Sequence, residues 1–169
     1  TEENGKILVL ANVKNIGDFA SKEVVQVYFG APCGKLGKPK KQLIAYKKTK
    51  ELRPNEIEQL CISFNIDDMK HYDDSGITGN EFCYVLEQGK YRIYAGTDVR
   101  NSELVYKMEL ENTIVVEALK QIAPPEREFD RFTACQENGK TVFKKESVPI
   151  RRFDIDKRID EHRPIEIDY

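Results

Sequence analysis

The chain has 169 residues, enough for one domain or a domain with an extension. Charged residues make up 33% of it, yet the formal net charge is only −2, which gives no electrostatic footing for a nucleic-acid partner. No apolar run approaches the roughly 20 residues that span a bilayer, so no membrane partner is expected either.

The chain opens on Thr1-Glu2-Glu3-Asn4 without an initiator Met, which reads as a piece cut from a longer polypeptide. Through residue 111 the apolar period is two. Ile7, Val9, Ala11 and Val13 alternate up to Asn15-Ile16-Gly17-Asp18, which reads as a hairpin turn in which Gly17 supplies backbone freedom. Val25, Val27 and Phe29 then share one strand face and are expected in the core. Pro32, Gly34, Gly37 and Pro39 mark a loop before a strand in 42–50, and Arg53–Glu56 is a turn. Leu60, Ile62, Phe64 and Ile66 alternate again, and Asp67–Tyr72 reads as one helical turn started by capping aspartates. Phe82–Leu86 and Lys90–Ala95 read as a hairpin with Gly89 at its turn, followed by a last strand through Leu104, Tyr106, Met108 and Leu110. Six or seven short strands with turns about every 8–12 residues give an all-β fold, an antiparallel sandwich over residues 1–113.

Beyond that the texture changes. Thr113–Ile122 fits a strand or a short helix, and Pro124-Pro125 ends whatever precedes it. The extension 114–169 is expected to be mostly irregular, with scattered aromatics such as Phe132. It carries one short amphipathic helix whose capping Asp154 precedes Ile155 and Ile159, four residues apart. Such a tail cannot close a core alone and is expected to dock on a neighbour.

The chemistry-bearing residues fit bland roles better than catalytic ones. Cys33, Cys61, Cys83 and Cys135 show no metal-ligand spacing, and Cys61 sits in an apolar alternation as a small buried hydrophobe would. Reduced thiols are expected, which favours a cytoplasmic setting although the compartment is not legible. Asp67-Asp68 and Asp73-Asp74 supply carboxylate pairs, but adjacent turn residues do not hold two carboxyls across a sugar ring. With two histidines in different segments, a His-rich metal site around His71 is not expected. There is no Gly-x-Ser-x-Gly, and Cys33 has no local His, so nucleophilic catalysis is not expected. The Gly34–Lys41 run lacks the helix of a phosphate loop, and its lysines, with Lys47 and Lys48, read as a protected edge strand. No catalytic residue, cofactor or metal is expected. Tyr28, Tyr46, Tyr84, Tyr91, Tyr94 and Tyr106 lie on predicted strands, but in a chain without Trp they read as core or interface residues, so glycan binding is not expected.

The opening segment carries a resemblance. "NVKNIGDFASKEVVQVYFGAP" is similar to the Asn-Thr-Gly…Glu-Val-Val-Gln-Val-Tyr pattern of the fibronectin type III-like domain of glycoside hydrolase family 3, the β-glucosidase family. "PKKQLIAYKKTKELRPNE", "FNIDDMKHYDD" and "YVLEQGKYRIYAGTDVRN" resemble that domain's later blocks, in order. Ala45-Tyr46 stands where Gly-Phe is usual, Asn55 replaces a turn Gly and Gln88 a Pro.

The resemblance implies an immunoglobulin/fibronectin type III-like sandwich with no catalytic residue of its own. It implies a structural module of a bacterial retaining glycosidase, whose partners are the α/β sandwich and barrel domains of the same chain. "APPEREFDRF" and "VPIRRFDIDKRIDEHRP" look like a connector to a following barrel, as in the subgroup with inverted domain order. The residues expected to build or dock the module are Gly17, Val25, Val27, Phe29, Tyr46, Tyr72, Gly89, Tyr91, Phe132, Ile155 and Ile159. The rival reading is a stand-alone adhesion or carbohydrate-binding sandwich, for which the "IDDMKHYDD" block has no purpose.

Overall fold

The computed structural model describes residues 2–3, 5–119, 127–138 and 140–148. A four-stranded antiparallel sheet forms one layer, in the order β4 (Gln42–Lys48), β3 (Val24–Gly30), β8 (Gly89–Gly96), β9 (Ser102–Leu110). Across the core lie two three-stranded sheets. One is β1 (Glu2–Glu3), β2 (Lys6–Lys14), β5 (Ile57–Asn65), and the other is β10 (Ile114–Ala118), β7 (Cys83–Leu86), β6 (His71–Asp73).

Period-two patterning places the core as expected. Ile7 and Val9 from β2, Val25, Val27 and Phe29 from β3, Leu60, Ile62 and Phe64 from β5, and Tyr91 and Ile93 from β8 form one buried cluster. Apolar burial at about 25 cal/mol per Å² makes this cluster the main favourable term in folding. The β5–β6 connection is a 3₁₀ turn, Ile66–Met69, whose Met69 is fully buried. The Asp68 carboxylate accepts from the N–H of Asn65 (3.0 Å), a donor that would otherwise point out of the turn unpaired. Among the described residues no helix is long and apolar enough to cross a membrane.

Two expected hairpins are instead crossovers. β2 pairs with β5 and β3 with β4 and β8, so Asn15–Asp18 carries the chain from one layer to the other. Likewise β7 pairs with β6 and β10 whereas β8 pairs with β3 and β9, so Gly89 starts a strand of the opposite sheet. It does so at φ 131, with a position for Cβ only 2.9 Å from Pro32. Gly17 does not have a positive φ, contrary to the reason expected for it. The turn is shaped by Asn15, whose Oδ1 accepts from Gly17 N–H at 2.9 Å.

The extension is also more regular than expected. Ile114–Ala118 resolves the strand-or-helix ambiguity as a strand on β7, bulged between Val115 and Glu117, and Val116 packs on the core. Phe129–Glu137 (β11) and Lys140–Val148 (β12) pair as a hairpin in continuous register from Phe129↔Val148 to Glu137↔Lys140. The helix expected around Ile155 and Ile159 lies outside the described residues.

Candidate functional site

The antiparallel strands put the connections at two opposite ends, and each end displays something. At the end where β3 leads into the 31–41 loop, Glu87 lies buried in the short β7–β8 crossover. Its carboxylate forms an ion pair with Lys38 and accepts from the N–H of Lys35 at 2.8 Å. The side chains are almost sealed, 1% exposed for Lys38 and 7% for Glu87. Burial pushes the Glu87 carboxyl up, but Lys38 and the Lys35 N–H outweigh it and hold the group below its usual range. Gly34 permits this approach, because a Cβ there would fall 2.4 Å from the carboxylate oxygens. Tyr91 closes the cluster, its hydroxyl donating to the Glu87 carbonyl at 3.0 Å. Burial also drives the His71 imidazole down to about 4, helped by the Lys38 charge, so the ring is neutral where it packs on Phe29.

A second carboxylate organises the neighbouring loop. Asp73 is fully buried and accepts from the N–H groups of Ser75 (3.2 Å), Ile77 (3.1 Å) and Thr78 (2.8 Å) and from the Thr78 hydroxyl (2.5 Å). Burial opposes ionisation, and these donors together reverse it, leaving the group below its normal value. The adjacent Asp74 faces outward and binds Arg131 of β11.

Together the two pinned loops seat the hairpin. Gly37, at φ 62, lies so close to β11 that a Cβ would fall 2.4 Å from the Ala134 carbonyl oxygen. On the other side Arg131 joins Asp74 to Glu146 of β12, its Nε–H donating to Glu146 at 3.3 Å. Gly37→Ala is therefore expected to lift the hairpin off while leaving the sandwich folded, since both the steric clash and the left-handed φ oppose the methyl group. Hydrogen exchange would check this, with faster exchange confined to 129–148 and unchanged rates in β2, β3 and β5.

Between hairpin and sandwich runs an open groove of about 360 Å³. Tyr72, Phe132 and Phe143 line it with rings, and Phe132 and Phe143 are 72% and 70% exposed. Among the described residues no three His, Cys, Asp or Glu side chains are grouped to hold a metal ion.

At the opposite end the Asn15 crossover is equally fixed. Asn15 Nδ2 donates to the carbonyls of Phe19 and Leu52, both at 2.8 Å. This rigid loop holds Ile16 and Phe19 out in solvent, 88% and 83% exposed. Two large apolar side chains are thus displayed on a pre-ordered loop.

Most expected module residues divide cleanly between these places. Val25, Val27, Phe29 and Tyr91 are core, and Gly89 is at the crossover. Tyr46 stands exposed on the lysine-bearing edge strand β4 and does not line the groove. The Tyr72 ring meets Tyr84 in a tilted contact, centroids 5.2 Å apart, beside the groove. Phe132 lines the groove, while Ile155 and Ile159 are outside the described residues. Cys61 is exposed, because it alternates out of phase with Leu60 and Ile62. Residue patterns missed Glu87, Lys38, Ile16, Phe19, Arg131 and Phe143. The Asn138-Gly139 pair, a strong two-residue hairpin signal, would have revealed the β11–β12 arm.

Comparison with known proteins identifies the sandwich. Residues 23–99 match the fibronectin type III-like domain family. A β-glucosidase of Ruminococcus albus is 43% identical over 148 residues, 88% of this chain but 15% of its own length. The chain belongs to the fibronectin type III-like domains of family 3 β-glucosidases. A solved β-glucosidase of Paenibacillus barengoltzii superimposes with a TM-score of 0.87 at 38% identity, over 94% of this chain and 18% of that one. β-Glucosidase 3B of Thermotoga neapolitana gives 0.57 at 31% identity over 67% of this chain and 15% of its own. A 94% share of this chain takes in at least part of the β11–β12 hairpin as well as the sandwich.

Proposed function

We propose that this chain is a non-catalytic structural module of a retaining β-glucosidase-like hydrolase, holding an α/β sandwich domain and a barrel domain in register. The observation that carries the reading is the asymmetry of coverage: 88% and 94% of this chain matches 15% and 18% of two β-glucosidases. In such an enzyme a carboxylate nucleophile and an acid/base carboxyl act through a glycosyl-enzyme intermediate. The buried carboxylates of this module have other work, since Asp73 and Glu87 are committed to loop amides and to Lys38. What the module offers a neighbour is shape and apolar contact, foremost Ile16 and Phe19. Displacement of catalytic groups by about 1 Å can cost about a hundredfold in rate, so rigid support bears on turnover without touching substrate. The connector-like sequences after residue 113 support a domain order with this module between the α/β domain and the barrel.

Purified chain is expected to release no nitrophenol from a nitrophenyl β-glucoside above the buffer rate. Heat-labile turnover by the chain alone would overturn the reading. In the intact enzyme, Phe19→Asp is expected to lower thermal stability and kcat while KM stays unchanged. Wild-type values for both would remove the proposed contact.

A further inference from the structure

We propose that the groove between the β11–β12 hairpin and the Tyr72–Ile77 segment binds a neutral pyranose, glucose or a short β-glucoside. This goes beyond the structural role and reverses the expectation drawn from the absence of Trp.

The argument starts from charge. The groove is lined by two cations, Lys35 and Arg131, and two carboxylates, Asp74 and Glu146, which sum to zero. An anionic ligand would meet the carboxylates, and a metal ion would have to displace Arg131, which engages both of them. A purely apolar partner would strip water from this ion triad, a desolvation that such pairs do not recover. A neutral polyol avoids all three objections.

The triad also keeps hydrogen-bonding capacity. A guanidinium has five N–H groups, and among the described residues Arg131 gives one to Glu146 and one to Asp74. Glu146 receives both Arg131 and the Thr133 hydroxyl (2.9 Å) on the single oxygen Oε2. Its Oε1 thus stays available among the described residues, as does Asp74 Oδ1. Donors and acceptors therefore stand side by side in fixed positions, as the hydroxyl pairs on a sugar edge require.

The rings supply the other half. Tyr72, Phe132 and Phe143 flank these polar groups, and a pyranose has an apolar C–H face to lay on an aromatic ring while its hydroxyls point sideways. A volume of about 360 Å³ lies at the small end of ligand sites and suits one or two rings rather than a long oligosaccharide. The two pinned loops hold the site before any ligand arrives, which lowers the ordering cost of binding.

The test is a ¹H–¹⁵N titration of the whole chain with glucose and with cellobiose, using glycerol as the polyol without a ring. Saturable shifts are expected with at least one sugar at 72–77, 131–134 and 143–146, with millimolar affinity and no response to glycerol. Phe132→Ala and Phe143→Ala are each expected to raise Kd about tenfold. Arg131→Lys, which keeps the charge and loses the planar fork, should raise it several-fold. Tyr46→Ala, an exposed tyrosine outside the groove, should leave Kd unchanged. Because both phenylalanines are exposed, their removal spares the fold, and unshifted spectra elsewhere would show it. No saturable shift up to roughly 100 mM sugar, a hundredfold excess over a millimolar Kd, overturns the proposal. So do shifts that survive in the Phe132→Ala/Phe143→Ala double variant.

Discussion

Glu87→Ala is expected to destabilise the chain by about 3–5 kcal/mol, because it leaves Lys38 charged, buried and alone. The Lys35 N–H loses its acceptor as well, and the loop that carries Gly34 and Gly37 is released. At about 4 °C per kcal/mol for a domain of this size, the melting point should fall by about 12–20 °C. Replacing both partners, Lys38→Met with Glu87→Leu, should recover most of the loss, since a well-packed apolar pair need not be worse than a buried ion pair. Urea melts of the three proteins would decide. A Glu87→Ala variant within about 1 kcal/mol of the parent would show that the pair does not hold the loop.

Asp73→Asn is expected to cost about 2–4 kcal/mol, through donors aimed at an amide that accepts on one oxygen only. The damage should concentrate in residues 74–82 and spread to the hairpin through Asp74 and Arg131. The same group sets part of the acid limit. Asp73 and Glu87 both titrate lower in the folded chain than their ordinary values of 3.8 and 4.5. Their stabilisation is therefore complete above those ordinary values and is lost as pH falls through the lower folded ones. Wild-type stability should drop steeply below about pH 4.5, and Asp73→Asn should flatten that slope while lowering the plateau at neutral pH. Equal slopes in the two proteins would exclude Asp73 as a contributor.

What the sequence made legible follows from what period-two patterning encodes. It states which face of a strand is buried, and Ile7, Val27, Leu60 and Ile93 all obey it. It does not state which strand lies alongside, so the crossovers at Asn15 and Gly89 look like hairpin turns. Both break that appearance for local reasons, a side-chain amide bridging two carbonyls in one case and a backbone pressed against Pro32 in the other. Cys61 was readable from parity alone and was obscured by the habit of cysteine to be buried. Glu87 was not readable, because a carboxylate between Leu86 and Gln88 looks solvated until Lys38 folds over it from nearly fifty residues away. The groove needed three separate stretches to meet: the 35–37 loop, residues 72–77 and the hairpin.

The strand lengths carry a last consequence. β2, β5 and β9 are each nine residues long, and at about 3.3 Å per residue they fix the distance between the two ends near 30 Å. Loop positions that are not pinned as Asn15, Gly34, Gly37 and Asp73 are can change on their own, but that distance cannot change unless every paired strand changes together. The sandwich is thus a gauge block. Whatever sits on Ile16 and Phe19 is held at one set spacing from whatever meets the Phe132 arm.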